Sequence, residues 1–195
     1  MTKKIEFNRR EALVAGAALA TTGVAGQAFA SEGGPVLPAK HTAVNVSGFR
    51  TQRWQDHFSS TQGGAILVDL NSFALHFWND DRSVYRLYPI AVPLKEEYVR
   101  RGRTTVVLKR PEPTWSPTAA MMKRDPTLPS FVPAGPGNPL GTKAMNLGWQ
   151  YYLIHGNNDT RKIGRSSSSG CIGLFNEHVE ELYPMVNIGC QVVVI

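Results

Sequence analysis

Prolines are concentrated in one part of this 195-residue chain, where eight of the thirteen lie between Pro111 and Pro139. Proline lacks a backbone N–H and has a fixed φ, so this segment cannot form a central strand or a long helix. A long irregular segment inside a compact domain is often a lid or a binding loop. We therefore expect a Pro-rich, lid-like insertion, in which residues 118–124 form a short helix with Ser116 as N-cap and Pro117 at its first position.

The segments on either side of the insertion are typical of β-strands. Residues 65–70 form an apolar run, and residues 73–78 alternate as a hairpin partner would, with Asn71 and Ser72 as the turn. Further strands are predicted over residues 83–92, 104–109, 151–155 and 191–195. Only the segment after Asn176, its predicted cap, shows clear helical spacing, at Val179, Leu182, Tyr183 and Val186. The fold class is therefore mainly β, with one or two short helices.

The first thirty residues have the pattern of an export signal. Four basic residues precede an uncharged stretch, residues 12–28, and Ala28-Phe29-Ala30 offers a small-x-small cleavage site. The adjacent pair Arg9-Arg10 indicates a twin-arginine signal. A membrane anchor is the alternative, but the stretch is short and weakly apolar for a span. We expect cleavage near Ala30, a periplasmic product and no stable membrane insertion afterwards.

The remaining chain begins with residues 31–63, a lead-in without a clear structural signature apart from Phe49, Trp54 and Phe58, which are expected to cap one end of the core. Residues 1–30 hold four basic and two acidic side chains, so cleavage would lower the net charge from +6 to +4. A mildly basic exported protein is attracted to anionic polymers of the cell envelope. The net charge affects how readily the protein meets a charged partner, and it does not indicate which reaction the protein catalyses.

The chemistry is indicated by His155 and Cys171. His155 ends a predicted strand, and Cys171 follows a polar loop that is long enough to fold back towards it. A thiol has a pKa of about 8.5, and an imidazole that takes its proton creates a nucleophilic thiolate within an ion pair. The amides of Gly170 and Cys171 could donate to an oxyanion. Ser168, Ser169 or a backbone carbonyl could orient the imidazole.

These residues, taken alone, leave other interpretations open. In an oxidising compartment Cys171 and Cys190 could form a disulfide. A histidine at a strand end is often structural, and a Ser/Gly run is often a flexible loop. His76 and His178 are expected to be structural. Two further histidines, His41 and His57, fall in the N-terminal part, where the pattern is hard to interpret.

A longer pattern surrounds the two candidate catalytic residues. It comprises His155-Gly156-Asn157, Ile163-Gly164-Arg165 and Ser168-Ser169-Gly170-Cys171-Ile172, followed by Leu174. Its order resembles the signature of the L,D-transpeptidase (YkuD-type) catalytic domain. The similarity extends over residues 64–195, which we therefore predict to be the catalytic domain.

The resemblance implies a curved β-sheet or β-sandwich around the site and peptidoglycan L,D-transpeptidase activity. Cys171 would attack the carbonyl of the L-centre residue of a stem peptide, D-alanine would leave, and an amine of a neighbouring stem would resolve the thioester into a cross-link. His155 would be the base. Peptidoglycan stem peptides are the implied partner; no nucleic-acid partner is expected, and no metal or cofactor is implied. The sequence carries no signal for an oligomeric state.

Two positions near Cys171 depart from the family pattern, and Val99-Arg100-Arg101-Gly102 replaces its Thr-Pro-x-Gly stretch. Ser169 stands where the family usually has His, and Gly173 where Arg or Asn is common. Loss of that Arg could remove a contact to a stem carboxylate, which Arg165, Arg100 or Arg101 could replace. These changes leave open an L,D-carboxypeptidase or endopeptidase, or a catalytically silent wall-binding module. The expected substrate-binding residues are Gly156, Asn157, Arg165 and Tyr151, and the aromatic residues Trp115, Trp149 and Tyr152 could line a peptide groove.

Overall fold

The computed structural model describes residues 50–195. The predicted signal peptide, its cleavage near Ala30 and the expectations for His41 and Phe49 lie outside the described residues. Within residues 50–195, every helix falls short of the length and apolar character that crossing a membrane requires.

Strands dominate this part of the chain. They are β1 (Ala65–Asp69), β2 (Ala74–Trp78), β3 (Tyr85–Pro89), β4 (Val92–Pro93), β5 (Gly102–Pro111), β6 (Lys143–Leu147), β7 (Leu153–His155), β8 (Ser166–Ser168), β9 (Ile172–Gly173) and β10 (Gln191–Val194). The α-helices are α1 (Ala119–Arg124) and α2 (Asn176–Met185), and short 3-10 turns occur at Trp54–Asp56, Glu96–Tyr98 and Thr160–Lys162. The mainly β prediction is confirmed.

Eight strands form one sheet in the order β3-β2-β1-β10-β5-β6-β7-β9, and β4 pairs with β8 in a second, two-stranded sheet. The predicted hairpin of β1 and β2 is confirmed as an antiparallel pair. The last strand, β10, lies between β1 and β5 and pairs with β1 in parallel, with Ile66 opposite Val192. Strands from the two ends of the described chain are therefore neighbours in the middle of the sheet.

The apolar run of β1 is buried on both faces of the sheet. Ile66 and Val68 belong to the larger core cluster, which also contains Val179 and Leu182 of α2. Ala65 and Leu67 point the other way because successive side chains of a strand alternate, and they pack in a second cluster. That cluster includes Phe58, with Trp54 packed against it, as the sequence predicted for these two aromatic residues.

The Pro-rich insertion between β5 and β6 is closed at its base. The buried amide of Asn138 donates to the carbonyl oxygens of Pro113 at 2.8 Å and Pro133 at 2.9 Å. Trp115 and Val132 form an isolated bridge. The predicted helix is present as α1, but its N-cap is Thr118, whose hydroxyl accepts from the Met121 N–H at 3.2 Å. The prediction of Ser116 as cap was wrong because the helix begins two residues further along.

Helix α2 follows the predicted spacing, but its N-cap is Phe175 without a side-chain hydrogen bond. Asn176 is the first helical residue, and its side-chain oxygen accepts hydrogen bonds from the backbone N–H groups of Thr142 and Asn157. At the other end, the Lys109 ammonium of β5 donates to the carbonyl oxygens of Tyr183 and Val186, each at 2.7 Å. A cation at a helix C-terminus satisfies the last carbonyls and complements the helix dipole.

Candidate active site

The register between β7 and β9 brings the two candidate catalytic residues together. Ile154 pairs in parallel with Ile172, and His155 stands opposite Gly173. Cys171 immediately precedes β9, so its thiol lies beside the start of β7, the strand that ends at His155.

The His155 ring has a defined tautomer. It is buried, and its Nδ1 forms a short hydrogen bond to the backbone oxygen of Gly156. A carbonyl oxygen can only accept, so Nδ1 carries the proton and Nε2 is left with a free lone pair. The orienting group is therefore the backbone carbonyl, among the three possibilities that the sequence allowed. Burial lowers the pKa of His155 to about 4 against the opposing effect of the Gly156 hydrogen bond, and the charge of Lys162 lowers it further.

The Cys171 thiol is half-buried at the end of the same strand pair. Its sulfur lies 3.4 Å from the backbone oxygen of Tyr151, to which the S–H donates. Burial raises the pKa of Cys171 to about 11, and a hydrogen bond from the Leu153 backbone opposes this rise. Burial disfavours both charges, so it favours the uncharged thiol and the uncharged imidazole over the ion pair expected from the sequence.

The loop before Cys171 is held by one serine. The Ser168 hydroxyl donates to the Cys171 backbone oxygen at 2.6 Å and accepts from the Gly170 N–H at 3.3 Å. Gly170 has φ of +131°, a region that side-chain-bearing residues rarely adopt. Because the Gly170 amide is bonded to Ser168, the Cys171 amide is the donor left for an oxyanion at this loop.

The second cysteine plays no part in this arrangement. Cys171 and Cys190 are both free thiols, which excludes the disulfide that the sequence left open. Cys190 is fully buried in the larger core cluster. Among residues 50–195, no group of three or more His, Cys, Asp or Glu side chains is arranged to hold a metal ion.

Comparison with known proteins identifies the family. Residues 63–195 match the model of the L,D-transpeptidase catalytic domain, YkuD. The chain belongs to this family. It is 43% identical over 192 residues to "Putative L,D-transpeptidase in ATP synthase subunits region ORF 5" of Fuscovulum blasticum, covering 97% of this chain and 98% of that protein.

Several other relatives are longer than this chain. "Probable L,D-transpeptidase ErfK/SrfK" of Escherichia coli K12 is 37% identical over 135 residues, which are 67% of this chain but only 43% of that protein. Among solved structures, an L,D-transpeptidase from Stackebrandtia nassauensis superposes with a TM-score of 0.55 at 16% identity, covering 76% of this chain and 63% of that one. At this identity the structural likeness concerns the fold alone.

Gly173, where the family pattern commonly has a larger residue, is tightly packed. A Cβ at this position would lie 3.1 Å from Nδ2 of Asn157 and 3.2 Å from the Cβ of Ala91. Gly173 also exchanges two backbone hydrogen bonds with Ala91, at 2.7 and 3.1 Å. The Asn157 amide thus occupies the space in which a larger residue at 173 would begin.

Gly156 and Asn157, two expected substrate-binding residues, are buried and fixed by Asn176. The Asn176 side-chain oxygen accepts the N–H of Asn157 at 3.1 Å and that of Thr142 at 3.3 Å. A Cβ on Gly156 would lie 2.2 Å from the same oxygen, so only glycine fits there. A substrate role for Gly156 and Asn157 stays a prediction, and the contacts observed hold the segment after His155 in place.

The other expected substrate-binding residues lie at the surface. Tyr151 is 65% exposed, and its φ of +65° is unusual for a residue with a side chain. Arg165 is exposed, with its backbone oxygen bonded to the Val92 N–H at 3.1 Å. Arg100 lies over the Trp149 ring, 4.9 Å from its centroid, whereas Arg101 is paired with Glu96. Arg101 is thus less available to a substrate than Arg100 or Arg165.

Two structural residues agree with the sequence predictions. His76 is buried, with Nδ1 2.8 Å from the Tyr85 hydroxyl. His178 packs between the rings of Tyr88 and Phe175, at centroid distances of 5.1 and 5.3 Å.

The structure brings Arg124 to the site, which the sequence did not predict. Arg124 of α1 donates from Nη2 to the Ser169 hydroxyl at 3.5 Å, although 45 residues separate them. The family pattern covers the loop but carries no marker for an arginine in the Pro-rich insertion, so only the fold reveals this contact.

Proposed function

We propose that this chain is a peptidoglycan L,D-transpeptidase in which Cys171 is the nucleophile and His155 the general base. The observation that carries the proposal is the parallel register of β7 and β9, which puts a half-buried thiol beside the strand that ends at an imidazole with a free Nε2. Family membership supports the reaction class, because it assigns the chain to a domain that transfers peptidoglycan peptides. The assignment of the two residues rests on their geometry.

Acylation begins with attack of the Cys171 sulfur on the carbonyl carbon of the L-centre residue, next to the terminal D-alanine of a stem peptide. The thiol proton passes to Nε2 of His155. Because both groups are uncharged at rest, this transfer accompanies attack and does not precede it. The developing oxyanion is stabilised by the Cys171 N–H, and one such donor typically contributes about 3 kcal/mol.

Collapse of the tetrahedral intermediate breaks the bond to D-alanine, whose amine takes the proton from His155, and leaves a thioester on Cys171. A side-chain amine of a second stem then attacks the thioester carbonyl. His155 accepts the proton of that amine and returns it to the departing sulfur. The products are a cross-linked dimer and the free thiol, so the site returns to its initial state.

The Gly156 carbonyl keeps the His155 ring in one tautomer throughout this cycle. Since it accepts the Nδ1 proton throughout, Nε2 remains the atom that exchanges protons with sulfur and with the amines. Asn176 fixes the Gly156–Asn157 segment from the other side. The imidazole is therefore held by backbone, and no acidic third residue is required.

The test is incubation of residues 31–195 with purified sacculi, followed by mass spectrometry of the muropeptides. We expect new dimers, which Cys171→Ala abolishes. His155→Gln should lower the yield at least about a hundredfold, the usual contribution of a general base. Shortened stems without dimers would indicate a carboxypeptidase or endopeptidase. Sacculi that bind the protein but stay unchanged would indicate a silent wall-binding module.

We further propose that residues 1–30 direct export to the periplasm through the twin-arginine route. The supporting feature is Arg9-Arg10 ahead of an uncharged stretch that ends at Ala30. Fractionation of cells that express the full chain should give a periplasmic product beginning near Ser31. Arg9→Lys with Arg10→Lys should leave the protein in the cytoplasm, and export of this double variant would contradict the route.

A further inference from the structure

We propose that Arg124, on the helix of the Pro-rich insertion, is a specificity-determining residue that binds a carboxylate of the acyl donor beside the scissile bond. This inference rests on the proposed function, since it names a contact to the same substrate. Arg124 precedes His155, the first residue of the pattern around Cys171, by 31 positions, and only the folded insertion brings it to the loop that carries Cys171.

Two contacts place the Arg124 guanidinium at this loop. Its Nη2 lies 3.5 Å from the Ser169 hydroxyl oxygen, and its central carbon lies 5.0 Å from the centroid of the Tyr98 ring. Ser169 is two residues before Cys171, so its Cα is within about 7.6 Å of the Cα of Cys171. The guanidinium therefore lies against the loop that ends at Cys171.

Tyr98, whose ring packs against Arg124, is hydrogen-bonded to a residue near the Cys171 loop. The Tyr98 backbone oxygen accepts a hydrogen bond from the Tyr152 hydroxyl at 2.8 Å. A Cβ built on Gly170 would lie 3.5 Å from the same oxygen and 3.6 Å from the Tyr152 ring. The Tyr98 backbone thus packs beside Gly170 and Tyr152, while the Tyr98 ring contacts the Arg124 guanidinium without a charged partner.

Charge pairing distinguishes Arg124 from several other arginines. Arg86, Arg101 and Arg161 each form an ion pair with a carboxylate in the part of the chain that the structure describes. Arg124 forms no such pair within residues 50–195, and its hydrogen bond goes to an uncharged hydroxyl. A planar guanidinium that is stacked on an aromatic ring and lacks a carboxylate is suited to bind one from a ligand.

The acyl donor carries carboxylates close to the carbonyl that Cys171 attacks. The terminal D-alanine carries one next to the scissile amide, and an L-centre residue such as diaminopimelate can carry another on its side chain. Both lie within a few bonds of the carbonyl that Cys171 attacks. The shared chemistry is a carboxylate beside that carbonyl, and amidated donors distinguish the two sources.

The first experiment needs no stem peptide. Rates of Cys171 alkylation by iodoacetate, an anion, and by neutral iodoacetamide are measured for the parent, for Arg124→Gln and for the control Lys123→Gln. Lys123 is exposed on the same helix, so the control removes an equal charge one residue away. We expect Arg124→Gln to lower the iodoacetate-to-iodoacetamide rate ratio about fivefold at low salt, with the iodoacetamide rate nearly unchanged.

An unchanged ratio in Arg124→Gln, or an equal fall in Lys123→Gln, would overturn the proposal. This outcome is independent of any transpeptidase activity. If the ratio behaves as expected but stem peptides never acylate the parent, the proposed function fails while the anion contact stands.

The second experiment uses tetrapeptide donors. Arg124→Gln should raise KM about tenfold for the free-carboxylate donor with little change in kcat, as loss of a ground-state contact does. Arg124→Lys should recover part of this loss. A donor amidated at the D-alanine carboxylate or at the side-chain carboxylate should show which group Arg124 binds, because parent and variant become equal on that donor. A variant that equals the parent on the free-carboxylate donor would refute the contact.

Discussion

Gly173 stands directly opposite His155 in the register of β9 and β7, and the amide of Asn157 fills the space beside it. The backbone of Gly173 is clamped to Ala91 by two hydrogen bonds, so it cannot move away from a larger side chain. Packing at this position therefore couples the strand that carries the base to the loop that follows it.

Substitution at Gly173 should destabilise the domain. We expect Gly173→Ala to lower the free energy of unfolding by about 1–2 kcal/mol, because the new methyl group overpacks against Asn157 and Ala91. The measurement is urea denaturation of the variant in the parent and in an Asn157→Ala background. The penalty should be smaller in the second background, and equal penalties would show that Asn157 does not fill this space.

Asn176 should matter more to stability than an ordinary residue at the start of a helix. Asn176→Ala leaves the Asn157 and Thr142 N–H groups without their acceptor, and we expect a loss of about 2 kcal/mol or more. Asn176→Asp keeps an acceptor oxygen at the same position and is the matched control. Denaturation curves that coincide for Asn176→Ala and the parent would refute this role.

The sequence predicted β1, whose side chains are buried on both faces, because residues 65–68 are apolar without interruption. It also predicted His155 and Cys171 as the catalytic pair, and their roles stay a prediction. It could not reveal that β10 inserts beside β1, since pairing partners far apart in the chain leave no local pattern. The predictions of Ser116 and Asn176 as N-caps were wrong, because Thr118 and Phe175 are the N-caps of α1 and α2. The Arg124 contact depends on how the insertion folds back, and no spacing rule encodes that.

Stability should fall as the pH drops from about 6.5 towards 4. Burial lowers the pKa of both His76 and His155 to about 4, whereas an unfolded histidine titrates near 6.5. The unfolded chain therefore binds more protons in this window, and each histidine accounts for about 2 kcal/mol lost by pH 5. His76→Phe should reduce the difference in unfolding free energy between pH 7.5 and pH 5.

Tyr85→Phe is the control for that variant, because it removes the His76 hydrogen-bond partner without removing the titrating ring. It should keep the pH dependence of the parent. If His76→Phe and the parent lost the same free energy between the two pH values, His76 would not be held neutral by the fold.

The Cys171 thiol should alkylate slowly at neutral pH. Because the pKa of Cys171 is raised to about 11, the iodoacetamide rate should rise roughly tenfold per pH unit between 7 and 9 without a plateau. Cys171→Ala, which retains the buried Cys190, gives the background rate. A rate that is already maximal and constant from pH 7 upward would indicate a resting thiolate and would contradict the uncharged pair.

Intact-mass analysis of the protein after brief exposure to a tetrapeptide stem that ends in D-alanine tests the roles of Cys171 and His155 most directly. We predict an adduct equal to the stem without its D-alanine, mapped by proteolysis to Cys171, slow to form in His155→Gln and absent in Cys171→Ala. The adduct should disappear when an amine-bearing acceptor stem is added, with a dimer in its place. No adduct on the parent, or an adduct on a residue other than Cys171, would contradict the mechanism.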